Sequence, residues 1–186
     1  MSPVSNSIAS IGPQSTMRDV LEVCPGAQRA LFRKYHIGGC SSCAFSPDET
    51  LEQLCARNGN LNLQEMLDYL RTSQEQDARI LIPPSELAEL RRNTPGLRLL
   101  DVRTREEYDA VKIEGATHMN QQTMQEILGK WPRAEEFVIC DHIGKQGLDA
   151  AAYFLGHGFS NVRCLQGGID AWAHEVDQAM PRYKLG

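Results

Sequence analysis

Phe137-Val-Ile-Cys140-Asp-His-Ile-Gly-Lys-Gln-Gly147, continuing into Leu148–Leu155, decides the fold. Its apolar start reads as a buried strand, Phe137–Cys140, and the segment Gly147–Gly156 has helical spacing. The joining turn is tight, and Gly144 and Gly147 permit backbone angles that other residues resist. Cys140 is expected at the carboxyl end of its strand, the edge where open α/β sheets bind ligands. Successive N–H groups entering a helix form an anion cradle, and a thiol held there is favoured as thiolate. Such a cradle also suits a persulfide anion or a cysteinyl-phosphate. The alternative is a plainly buried cysteine before an ordinary turn.

On either side of this unit, strands are expected at Arg79–Ile82, Leu97–Val102, Ala116–Met119 and Val162–Leu165. Helices are expected at Pro84–Arg92, Arg105–Ala110, Thr123–Gly129 and Gly168–Ala173. Alternation of this kind implies a mostly parallel sheet with helices on both faces. Upstream the pattern is helical only. Thr16 or Ser15 can cap a first helix, Pro25 suits the first turn of a second, and Ser46-Pro47 can start a third. Asn62 with Glu65 resembles a capping box for a fourth. The polar stretch 72–79 reads as a linker. The expected organisation is a loose tail at 1–15, a small all-α domain at 16–72 and an α/β domain at 79–186.

The chain has 186 residues, with 19 Lys+Arg against 24 Asp+Glu, a net charge of −5 spread over both halves. That balance argues against nucleic acid or an anionic membrane as partner, since both require a clustered basic surface. No apolar run has the length of a membrane span, and the start lacks the pattern of a signal peptide, so a cytoplasmic setting is expected. In a reducing compartment the six cysteines serve ligation, catalysis or packing in preference to disulfides. Cys40 and Cys43 have the spacing of a metal-ligand or redox pair, which supplies only two of the four ligands of a closed zinc site. Cys24, Cys55 and Cys164 read as core side chains.

From Arg79 to Trp172 the chain resembles the rhodanese (sulfurtransferase) family. Leu99-Leu-Asp101-Val-Arg103-Thr-Arg-Glu-Glu107-Tyr is similar to its leucine–aspartate–valine–arginine signature. Lys112-Ile-Glu-Gly115-Ala116-Thr-His-Met-Asn120 resembles its following strand, and Gly158 to Trp172 its closing motif. The resemblance implies a rhodanese-like α/β fold in which Cys140 accepts sulfane sulfur as a persulfide. The backbone of Asp141, His142, Ile143, Gly144, Lys145 and Gln146 would cradle it. Asp101 and Arg103 would brace the loop, Arg103 pairing with Glu107. Implied partners are a small donor such as thiosulfate or a persulfide, and a thiol or protein acceptor. No cofactor is required for that chemistry, with zinc or iron–sulfur conceivable at Cys40 and Cys43.

This loop departs from the family pattern. The usual loop has arginine five residues after the cysteine, where Lys145 stands, and this loop is one residue longer. Related phosphatases have arginine six residues after it, where Gln146 stands, so a dianionic phosphoryl group would lack its bidentate guanidinium. Asp141 opposes a thiolate unless its side chain turns to solvent or caps the loop. His142 either tunes the thiol or is a solvated loop residue. Arg18-Asp-Val-Leu-Glu-Val-Cys-Pro-Gly26, Tyr35-His-Ile-Gly-Gly-Cys40-Ser-Ser-Cys43 and Glu49-Thr-Leu-Glu-Gln-Leu-Cys55, within residues 16–72, resemble a small bacterial helical domain of uncharacterised role, similar in part to the N-terminal domain of iron–sulfur cluster repair proteins. The competing reading is therefore a metal or iron–sulfur module whose rhodanese-like domain only docks a partner.

Overall fold

The computed structural model of the chain describes residues 10–38 and 45–183. Two compact units result, Met1–Arg79 and Ile80–Gly186. Cys40 and Cys43, the candidate ligand or redox pair, lie outside the described residues. Among the described residues no helix is long and apolar enough to cross a membrane. No group of three or more His, Cys, Asp or Glu side chains among them is placed to hold a metal ion.

The first unit is helical: α1 (Met17–Val23), α2 (Ala27–Tyr35), α3 (Leu51–Arg57) and α4 (Leu63–Ile80). Thr16 and Thr50 begin α1 and α3 with reciprocal capping boxes, each cap contributing about 1 kcal/mol. Asn62 accepts from the Glu65 N–H at 3.0 Å, while the Glu65 carboxylate takes Lys34 instead of closing the box. Two expectations fail here. Ser46-Pro47 forms a turn, and the third helix waits until Leu51. The expected linker at 72–79 is the second half of α4. Polarity alone does not end a helix, and this stretch contains neither Gly nor Pro. It is also anchored: Asp77 is buried and takes Arg29 Nη2 at 2.6 Å. A Cβ on Gly26, the N-cap of α2, would fall on the Asp77 carboxylate. Cys24 and Cys55 are buried as expected, and burial, followed by the Asp77 charge, pushes the Cys24 thiol up to about 11.

The second unit alternates β1 (Leu81–Ile82), α5 (Pro84–Asn93), β2 (Arg98–Asp101), α6 (Arg105–Ala110), β3 (Thr117–His118), α7 (Gln121–Lys130), β4 (Glu136–Cys140), α8 (Gln146–Gly156), β5 (Asn161–Leu165) and α9 (Gly168–Glu175). All strand pairs are parallel, in the order β1-β5-β4-β2-β3. Two apolar layers cover the sheet. Val138 and Cys140 pack with Leu87, Ile169 and Trp172, on the α5 and α9 side. Phe137 and Ile139 pack with Ile127, Leu148 and Phe154, on the α7 and α8 side. Phe137 is the hub of the second layer, making edge-on contacts to Trp131, Phe154 and Phe159. The parallel α/β architecture after a helical region is the one anticipated.

Candidate active site

β2 and β4 end side by side, with Asp101 opposite Cys140. Alternation along β4 fixes which side chain reaches which layer. Cys140 shares the side of Val138, so its sulfur lies in the α5/α9 layer, fully buried. One residue further, Asp141 turns into the bend that opens α8. The Gly144 N–H donates to its Oδ1 at 2.6 Å and the Gln146 N–H to its Oδ2 at 2.8 Å. The Lys145 and Gly147 N–H groups also favour its charged form. The cradle expected over 141–146 therefore exists as convergent amides, and the anion inside it is the Asp141 carboxylate.

The Gly144 and Gln146 amides that the expectation assigned to a Cys140 thiolate are bonded to Asp141. Burial pushes the Cys140 thiol well above its ordinary value, the Asp101 charge pushes further, and Arg103 opposes both without prevailing. Cys140 is a fully buried core side chain. Asp141 is itself 2% exposed, and burial raises its pKa despite the amides that hold it.

The loop is gripped from outside as well. The first amides of α9 donate to it, Ile169 to the Asp141 carbonyl at 2.8 Å and Asp170 to that of His142 at 3.1 Å. Gly168 makes this approach possible, since a Cβ there would stand 2.5 Å from the backbone of Asp141 and His142. Cys164 is buried beneath the turn on the opposite side of the sheet from Cys140, in the α8 layer. Ile143, Lys145 and Gln146 are exposed.

Asp101 and Arg103 form a brace. Arg103 donates from Nε at 2.9 Å and Nη2 at 2.6 Å to the Asp101 carboxylate, with both side chains sealed from solvent. The expected pairing of Arg103 with Glu107 does not form. The Tyr183 hydroxyl stands between them, accepting from Arg103 Nη1 at 2.7 Å and donating to Glu107 Oε1 at 2.8 Å. Glu107 instead caps α6 through Thr104; burial pulls its carboxyl up, but the bond from Tyr183 and then those from Thr104 hold it below the usual range.

His142 is not a solvated loop residue. It is 9% exposed, its ring stacks on Tyr183 at 4.4 Å and 10°, and its Nε2 donates to the Tyr183 carbonyl at 3.0 Å. Arg182 adds a two-pronged bond to Asp170 at 2.8 and 2.9 Å. Sequence reasoning missed this strap, because a lone Arg-Tyr pair beyond the last helix carries no periodic signal. It left open whether the Asp141 side chain turns to solvent or caps the loop, and two signals favoured the cap. The period of β4 sends residue 141 to the α8 side. Counted from Asp141, the loop loses its extra residue, and Gln146 falls fifth, where the usual rhodanese loop has arginine.

Comparison with known proteins agrees with this architecture. The profile of the rhodanese-like domain matches residues 83–175. Thiosulfate sulfurtransferase GlpE of Pseudomonas putida (strain GB-1) is 35% identical over 92 residues, which cover 49% of this chain and 82% of that protein. The human single domain sulfurtransferase TSTD1 is 25% identical, with 52% of this chain and 96% of that chain covered and a TM-score of 0.47. A rhodanese-like domain protein from Staphylococcus aureus is 22% identical, with 56% and 98% covered and a TM-score of 0.46. On the profile match and the identity to GlpE over most of that protein's length, the chain belongs to the rhodanese-like domain family.

Proposed function

We propose that the protein serves sulfur transfer as a rhodanese-like domain that does not carry sulfur on its own cradle loop. Family membership and the thiosulfate sulfurtransferase relatives support a sulfurtransferase role in general. One observation carries the finer reading: the amides of Gly144 and Gln146 are bonded to Asp141, and Cys140 is buried in the opposite layer. A nucleophile must meet its donor in solvent, and a neutral thiol without exposed surface does not. In this reading the sulfur-bearing thiols are Cys40 and Cys43, and the α/β domain docks the donor or acceptor. The same pair would supply two of the ligands of any zinc or iron–sulfur centre. Metal analysis after anaerobic purification, with Cys40→Ser alongside, tests that assignment.

The competing reading places a persulfide on Cys140, taken from thiosulfate or another persulfide and passed to a thiol acceptor. Its support is the activity named for the relatives together with a cysteine at the carboxyl end of β4. Rates of sulfur transfer from thiosulfate to a small thiol separate the two. Cys140→Ala is expected to leave the rate unchanged, while replacing Cys40 and Cys43 by serine lowers it. Loss of transfer in Cys140→Ala alone would establish the competing reading.

A further inference from the structure

We propose that Asp141 is a permanent stand-in for a cysteine persulfide, so that the cradle loop is held in the shape of a sulfur-loaded site. The inference rests on the reading that Cys140 does not carry sulfur. A cysteine persulfide presents one negative charge on the third atom beyond Cα, along Cβ, Sγ and the terminal sulfur. An aspartate presents one negative charge at the same count, along Cβ, Cγ and Oδ. Both are monoanions that accept from several N–H groups at once. An unloaded cysteine at this position would end one atom short, so its sulfur would lie further from the amides at the mouth of α8 and accept from them less well.

The surroundings match a loaded state that needs no donor. The two Asp141 oxygens take separate amides, at 2.6 and 2.8 Å, as the end of an anionic group lying in the cradle would. The outer carbonyls of the same loop are already taken by the first amides of α9. His142, next along, is fixed by its stacking on Tyr183. The loop surface offered to solvent, Ile143, Lys145 and Gln146, is thereby set in one shape.

The test uses the full chain and the exchange of the Gly144 and Gln146 backbone amides. In Asp141→Cys these amides are expected to exchange faster by about tenfold or more, as a locally opened loop does. Thiosulfate is then added. The thiolate introduced at position 141 attacks the outer sulfur, a new S–S bond forms, and the S–S bond of thiosulfate breaks with its electron pair leaving on sulfite. The variant should gain the mass of one sulfur at residue 141, and the two amides should return to wild-type protection. A loaded variant whose amides stay unprotected, or an unloaded one already as protected as wild type, would overturn the proposal. Asp141→Asn decides the matter if the cysteine variant fails to fold or to load. It keeps the size and removes the charge, so faster exchange is expected and unchanged exchange counts against the stand-in. Sulfur appearing on Cys140 of the wild-type chain is a separate outcome, which defeats the underlying reading instead.

Discussion

Two aspartates at the ends of neighbouring strands are buried alike and satisfied by opposite means. Asp101 is met by the Arg103 guanidinium, a full positive charge in a fork. Asp141, one position beyond β4, is met by backbone N–H dipoles. The first arrangement cancels charge and ties β2 to the loop that follows it. The second leaves a negative charge in the cradle, where a member of this family would be expected to hold its sulfur anion. A buried carboxylate at a strand end can thus be a brace or an occupant, and the donors around it decide which.

The sharpest way to break this comparison is to remove the cation. Arg103→Ala leaves Asp101 buried without its partner, and chemical denaturation should show a loss of about 3–5 kcal/mol. Arg103→Lys should recover little of it, because an ammonium cannot reproduce the fork. A loss below that seen for Asp141→Ala would reverse the proposed roles. Asp141→Ala orphans amides without stranding a charge, so its cost should be smaller, about 1–3 kcal/mol. Tyr183→Phe keeps the ring on His142 and deletes only the hydroxyl between Arg103 and Glu107. About 1 kcal/mol is expected there, read from the same denaturation curves.

Acid provides the mildest test, and the signs differ between groups. The folded pKa of Asp141 is raised, with burial as the largest cause. Its contribution is therefore fully present below the ordinary aspartate value and lost as pH rises through the folded value. Glu107 is lowered, so its contribution is present above the ordinary glutamate value and lost as pH falls through the folded one. Wild type should gain stability relative to Asp141→Asn as pH falls, and lose it relative to Glu107→Gln. Parallel trends for the two variants would contradict the assignment.

Much of the α/β unit was legible in the sequence. The Arg105–Ala110 helix and the strand ending at Cys140 stand where spacing placed them, because apolar periodicity and capping residues act locally. The α4 extension was hidden, since its anchor is a contact between Asp77 and Arg29, 48 positions apart. The Tyr183 bridge was hidden for the same reason, with 80 positions separating it from Arg103. The occupant of the cradle was half legible, since capping of the loop was one of two readings open for Asp141. A cysteine at a strand end drew the assignment to residue 140, although strand alternation already pointed residue 141 at the helix.

The central claim is that Asp141 fills the cradle and Cys140 is closed to sulfur. Incubating the full-length wild-type chain with thiosulfate or a persulfide donor, then mapping any added sulfur by peptide mass, tests it most directly. The account predicts that the Cys140 peptide gains no sulfur while remaining a free thiol. A sulfur adduct on Cys140 of the folded chain would contradict it.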